Sequence, residues 1–412
     1  MKDTVISNVR IVTPDAVIER GTVLVTGGRI ASLVKGRLRR GADITEIDGN
    51  GLLLLPGFID LHNDGIEQEI EPRPHAVFPL SIALASLETR LVSHGITTIF
   101  HSFSFMDGRE GTLHPEGLEP AIRELNRLRR NGVIRHLVHA RFEMVETHHY
   151  ERLRRLMDDR QVSLVSFMDH TPGQGQYRNV QGLVSYYVRK YHAELSDIDA
   201  MIKEREKKAG NPAVRETLKR LAAHARDAGL PLASHDDDTP EKVALMKGMG
   251  VTISEFPVSM SAVLAASGCG MHVAVGAPNV LRGLSTNGNL SALEAIGSNA
   301  VDILCSDYYS PSLLHAVFRL TREKVMTLPD AVRMATANPA RAAGIDAELG
   351  SLEVGKRADM ILVNESEGTP CVIAAWVGGH KVYEKYDGVR NAVGDRWAAE
   401  AARPEQEAPH AS

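Results

Sequence analysis

Between residues 56 and 349 the chain alternates short, β-branched apolar runs with longer stretches whose apolar positions recur every three to four residues. That alternation predicts βα units around a parallel sheet. Eight runs read as strands: residues 57–62, 97–103, 137–143, 163–170, 232–235, 252–256, 272–275 and 303–307. Eight is the number that closes a (β/α)8 barrel. The flanks have a different period. Residues 4–55 alternate apolar and polar positions and are cut by turns, as at Gly27-Gly28, and residues 351–386 do the same. The expected architecture is therefore α/β: a TIM-type barrel over 56–349, with a small composite β-sandwich built from residues 1–55 and 350–390. Residues 176–229 are long, polar and helical in pattern, and read as a solvated helical insertion in the barrel. From 391 to 412 the Ala-, Glu- and Pro-rich composition predicts a poorly ordered tail.

Several of these strands end in a side chain that ligates metals. The first run reads Leu55-Pro-Gly-Phe-Ile-Asp-Leu-His-Asn-Asp, and residues two apart in a strand face one side, so His62 and Asp64 can point at one ion. Glu143 ends the third run, His170 the fourth, His235 the fifth and Asp307 the eighth. Singly, each has a plainer reading: a satisfied histidine in a turn, a carboxylate at a helix amino terminus, an N-cap aspartate. Together they describe a barrel mouth that collects two or three imidazoles and as many carboxylates, a donor set suited to a borderline divalent metal. Asp307 is the best general-base candidate, because a carboxylate beside a cation stays ionised. The segment Gly276-Ala-Pro-Asn-Val-Leu-Arg follows the seventh run, where barrels often hold phosphate. It makes Arg282 the first anion-binding candidate, with Arg73, set between two prolines, and Arg178 and Lys190 from the insertion behind it. No Walker spacing is present.

Composition narrows the partners. With 47 basic and 52 acidic residues the net charge is −5, so no global field favours nucleic acid or an anionic membrane surface. Cys269, Cys305 and Cys371 are scattered without Cys-x-x-Cys spacing, which predicts reduced thiols in a cytoplasmic protein. No stretch gives about 18 uninterrupted apolar residues. The expected partners are a small molecule and, at most, further copies of the same chain.

The Leu-Pro-Gly-Phe-Ile-Asp-Leu-His run, the strand-end histidines, Ser306-Asp307, Ala337-Asn-Pro-Ala-Arg and Gly350-Ser-Leu-Glu-Val-Gly-Lys-Arg-Ala-Asp resemble the amidohydrolase superfamily. Ser166-Phe-Met-Asp-His-Thr-Pro-Gly-Gln, Ala233-Ser-His-Asp-Asp and Gly276-Ala-Pro-Asn-Val-Leu-Arg-Gly are more narrowly similar to its branch of ribose 1-methylphosphonate 5-triphosphate diphosphatases, of phosphonate catabolism. That resemblance implies hydrolysis of a phosphorylated small molecule with release of pyrophosphate. It also implies one or two divalent ions, zinc or manganese, that activate water. The implied ligands are His62, Asp64, Glu143, His170 and His235, with Asp307 as both ligand and base. Where that branch reads Asn-Leu-Glu-Lys-His, this chain has Gly65-Ile-Glu-Gln-Glu. The changes at Gly65, Gln68 and Glu69 remove positive charge expected near the mouth. The rival reading is hydrolysis of a carbon–nitrogen bond in a cyclic amide or N-acyl group; a non-catalytic barrel is a third.

Overall fold

Period-two alternation makes the chain ends into strands, and pairing joins them. In the computed structural model, which describes residues 2–36, 38, 44–73, 75–107, 115–177, 180, 184, 188, 195–285, 289–365 and 368–385, the chain opens with β1 (Asp3–Val12), β2 (Val17–Thr26), β3 (Arg29–Lys35), β4 (Ile44–Asp48) and β5 (Leu53–Pro56). It continues through eight barrel strands: β6 (Phe58–Asn63), β7 (Ile96–Phe105), β8 (Arg135–Glu143), β9 (Leu164–Met168), β10 (Leu232–His235), β11 (Ile253–Glu255), β12 (His272–Gly276) and β13 (Ile303–Cys305). It closes with β14 (Met360–Asn364), β15 (Cys371–Val377) and β16 (His380–Glu384).

The terminal strands form one mixed sheet in the order β16-β15-β14-β5-β1-β2-β3, with β4 beside β1. The sheet curls: the Ile30 N–H on the outermost strand donates to the Lys356 carbonyl at 2.9 Å, just ahead of β14. Its inner face buries Ile6, Val23, Ile30, Leu54, Met360 and Trp376 in one apolar cluster. Both chain ends thus complete one small core, as the matching patterns predict.

β6 to β13 pair in chain order and in parallel. The ends meet at a bridge between Asn63 and Asp307, where the Asp307 N–H donates to the His62 carbonyl at 3.0 Å and the Asp64 N–H to the Asp307 carbonyl at 3.1 Å. Strands buried on both faces read as continuous apolar runs, and all ten residues of β7 are buried. Outward side chains such as Ile99, Phe103, Val138 and Phe142 pack under the surrounding helices. Inward ones, including Ile59, Leu61, Phe100, Leu164, Ile253 and Ile303, fill the barrel below its mouth. Truncating Phe100 to alanine would cost about 3–5 kcal/mol.

The helix Pro212–Asp227 departs from the boundaries expected of the insertion. Asn211 caps it, its side chain accepting from the Ala213 N–H, and Pro212 starts it. Val214, Leu218, Leu221, Ala222 and Ala225 are buried in the main core, so this charged-looking helix is the barrel's own cover between β9 and β10. Its polar face misled the pattern reading; its apolar stripe decides the packing. Residues 391–412 lie outside the described residues.

Candidate metal centre

The apolar filling ends at the carboxyl ends of the strands, and a polar layer begins. Strand alternation puts His139, Arg141 and Glu143 on the inward face of β8. His139 is fully tied down: Nδ1 lies 3.0 Å from the Leu61 carbonyl and Nε2 2.8 Å from the Ser166 hydroxyl. Burial drives its pKa down to about 3, so it is a neutral packing element.

Above it stands a fork. Glu255, at the end of β11, reaches two histidines at once: Oε1 is 3.0 Å from His62 Nδ1 and Oε2 is 2.9 Å from His235 Nδ1. The two imidazoles stack, with centroids 5.3 Å apart and planes 17° from parallel. A carboxylate behind Nδ1 orients a ring and makes Nε2 the donor, the usual support of a metal-ligating histidine. His62 Nε2 faces Asp64 Oδ1 at 3.5 Å. Burial alone would discharge His62, but Glu255 and Asp64 raise its pKa to about 10. Burial and the neighbouring Arg141 guanidinium hold His235 below the ordinary imidazole value.

The remaining groups close the ring. Asp307 follows β13 in a left-handed conformation (φ 57°), as do Asp236 and Phe256 after β10 and β11 (φ 54° and 56°). Aspartate tolerates this region; a bulky aromatic there is rare and marks a place where surrounding packing dictates the backbone. Asp60 fixes the Asp307 segment by accepting from both the Ser306 N–H and hydroxyl, and the Asn63 amide donates to the Ser306 hydroxyl at 2.6 Å. Burial, followed by the nearby charge of Asp64, raises the Asp307 carboxyl to about 7 against the pull of His62. Arg141 lies across the group, 3.3 Å from Asp64 Oδ1 and 3.1 Å from His235 Nε2.

One cavity of about 450 Å³ opens on His62, Asp64, Arg141, His235, Arg282 and Asp307. One ligand atom each from His62, Asp64 and Asp307 lies within 4.8 Å of the others, and the same holds for His62, His235 and Glu255. The donor chemistry fits a divalent cation: a half-buried, mutually repelling Asp64 and Asp307 beside imidazole Nε2 atoms held in place from behind. Binding would displace the proton that His62 otherwise keeps.

The residues expected from the sequence divide into three sets. His62, Asp64, His235, Asp307 and Arg282 share the cavity. Glu143 and His170 are instead partners of each other, with Oε2 2.6 Å from Nδ1, and neither lines the cavity. Arg73 is exposed in a short turn bridged to Ala76 and does not line it either. Arg178 and Lys190 lie outside the described residues. Glu255 and Arg141 went unrecognised. Glu255 stands one residue before the end of the sixth strand run and ends β11, and Arg141 shares its face with His139 and Glu143, so both signals were present. Glu69, whose charge was expected near the mouth, is engaged elsewhere: Arg90 on the helix Leu80–Ser93 pairs with it at 2.7 Å, and the Ser86 hydroxyl donates to it at 2.8 Å.

This barrel has known counterparts. The model of the amidohydrolase family matches residues 53–382. The chain belongs to the amidohydrolase family. Its relatives include the alpha-D-ribose 1-methylphosphonate 5-triphosphate diphosphatase of Escherichia coli (strain K12), 35% identical over 387 residues, 92% of this chain and 100% of the relative. An imidazolonepropionase of Maricaulis maris is 29% identical over 172 residues, 40% of this chain and 42% of its own. Among solved structures, N-acetylglucosamine-6-phosphate deacetylase from Pasteurella multocida superposes with a TM-score of 0.63 at 15% identity, covering 92% of this chain and 99% of that one, a likeness of fold. As in other amidohydrolases, the sheet from the chain ends accompanies the barrel, and the chain is an enzyme with a hydrolase role. No helix among the described residues is long and apolar enough to cross a membrane.

Proposed function

We propose that this amidohydrolase cleaves a phosphoanhydride, with ribose 1-methylphosphonate 5-triphosphate as substrate and pyrophosphate as product. The observation that carries the reading is the meeting, in one cavity, of the His62–Asp64–Asp307 cluster with the Arg282 guanidinium, in a chain that aligns along the whole length of the E. coli diphosphatase. Arg282 makes no ion pair among the described residues, which leaves its planar fork for phosphate oxygens. Glu69 does not oppose this, because Arg90 already neutralises it.

Zinc or manganese would be held by Nε2 of His62 and His235 and by the carboxylates of Asp64 and Asp307. Such an ion supplies Lewis acidity, lowering the pKa of water and neutralising charge on a phosphoryl oxygen. The protein groups do the rest. Glu255 keeps both imidazoles aimed, Arg282 orients the triphosphate, and ionised Asp307 accepts the proton of the attacking water as the anhydride oxygen leaves with pyrophosphate. Arg141, buried and paired with Asp64, adds fixed positive charge that favours the anionic transition state. In the metal-free enzyme Asp307 is partly protonated at neutral pH; a cation beside it would lower its pKa into the working range of a base.

The test is phosphorus NMR of the zinc- or manganese-loaded enzyme with ribose 1-methylphosphonate 5-triphosphate, in which pyrophosphate is expected to accumulate. Absence of pyrophosphate, with turnover of an N-acyl or cyclic amide panel by the same preparation, would overturn the proposal in favour of carbon–nitrogen hydrolysis.

A further inference from the structure

A second set of metal-type side chains sits on the barrel rim, one strand away from the central fork. Asp107 follows β7, and His148 and His149 lie in the short 3-10 turn Thr147–His149 after β8. Both imidazoles turn the same nitrogen toward one carboxylate: His149 Nε2 is 2.9 Å from Asp107 Oδ1, and His148 Nε2 is 3.0 Å from Oδ2. Their ring centroids are only 4.1 Å apart. A second carboxylate backs the group. Glu146, 4% exposed, accepts from the Asp107 backbone N–H, and its Oε2 lies 3.8 Å from His149 Nε2.

We infer that Asp107, His148 and His149 form a second divalent-cation site of zinc type, distinct from the centre in the barrel mouth, with Glu146 supporting it. Three geometric observations argue that the group can take an ion. One ligand atom each from the three residues lies within 4.8 Å of the others. The Asp107 carboxylate can accept from both rings, one at each oxygen, but two adjacent imidazoles pressed together on one acid also present a convergent nitrogen pair. His148 and Asp107 have side chains 56% and 45% exposed, so an ion has a path from solvent.

The site's consequence would be mechanical. An ion there pins the turn after β7 to the turn after β8, two neighbouring pieces of the mouth. Beside them Arg205, on the helix Leu195–Ala209, donates to the His170 carbonyl at 3.1 Å and touches Met106. The ion would brace the rim against which that helix leans.

The test needs no assay of turnover. Full-length protein is dialysed against zinc and its bound metal counted for wild type, His148→Ala, Asp107→Asn and the central variant His235→Ala. His148→Ala and Asp107→Asn are each expected to bind one zinc fewer than wild type, and His235→Ala to keep that same His148-dependent equivalent. Zinc is expected to raise the melting temperature of wild type more than that of His148→Ala, whose exposed site tolerates the truncation. Equal zinc content and equal zinc-induced shifts in wild type and both rim variants would overturn the inference. So would loss of the rim equivalent in His235→Ala, which would merge the two sites into one.

Discussion

Two imidazoles and one glutamate occur twice in this barrel, and the two copies behave differently. In the mouth, Glu255 stands behind His62 and His235 and takes the Nδ1 side of each. Outside the barrel, under the helix Leu80–Ser93, the same three residue types form a line: Glu88 Oε1 lies 2.9 Å from His136 Nε2, and His136 Nδ1 lies 2.9 Å from His101 Nε2. The fork leaves Nε2 of both rings turned toward Asp64 and Arg141 in the cavity. The line consumes both nitrogens of His136 and one of His101, and Glu88 also accepts from the Val133 and Ile134 N–H groups. Residue inventory is equal; topology of the hydrogen bonds is not. A carboxylate that branches prepares donors, and one that terminates a chain spends them.

The comparison can be broken at several points. Asp307→Asn should have the largest effect, lowering turnover by about 10²–10⁴-fold while metal stays bound, as read by steady-state kinetics and metal analysis on one preparation. Unchanged turnover would remove Asp307 from the role of base. Glu255→Gln keeps the shape of the fork but can accept properly from only one ring, so metal affinity should fall about 10–100-fold; Glu88→Gln, the matched change in the line, should leave metal affinity alone. Equal losses in the two would erase the distinction. Arg282→Ala should raise KM about tenfold with a smaller change in kcat, reflecting a lost charge-assisted contact in the ground state, whereas Arg73→Ala should alter neither.

The smallest effect is a difference in the sign of pH dependence in metal-free protein. Asp307 has its carboxyl raised to about 7 by burial, so the folded state binds more protons than the unfolded one between about pH 4 and 7, and its contribution to stability is lost as pH rises through that window. Glu88 is opposite: burial raises it, but hydrogen bonds from His136 and the Ile134 backbone bring it below the ordinary value. Its contribution is therefore present above the usual glutamate range and lost on acidification. Urea titrations of Asp307→Asn and Glu88→Gln against pH should flatten opposite limbs of the wild-type profile. The same limb flattened in both would contradict the assignment.

Much of this was readable from the chain. Eight apolar runs located the barrel strands, and strand-end position alone gathered His62, Asp64, His235 and Asp307. What resisted reading has physical reasons. Glu255 ends a strand of only three residues; its importance lies in reaching two rings from other strands, a three-dimensional fact. Glu143 ends β8 and His170 follows the adjacent β9 by two residues, so they meet each other before either meets the centre. The helix Pro212–Asp227 shows polar residues to solvent and hides a stripe that only packing reveals. Glu69 illustrates the reverse error, since a charge that looks unopposed in sequence is cancelled by Arg90 one helix away.

The seam of the barrel carries a consequence for biosynthesis. His62 and Asp64 belong to the first strand unit and Asp307 to the last, and they are joined by the backbone hydrogen bonds that close the cylinder. A growing chain therefore holds His62 and Asp64 for about 170 residues of synthesis before His235 exists and about 240 before Asp307 does. On the proposed ligand set, metal acquisition would follow the final strand, and ring closure and site assembly would become a single late event. An ion captured earlier by the amino-terminal pair would find only two of those donors, too few to hold it firmly.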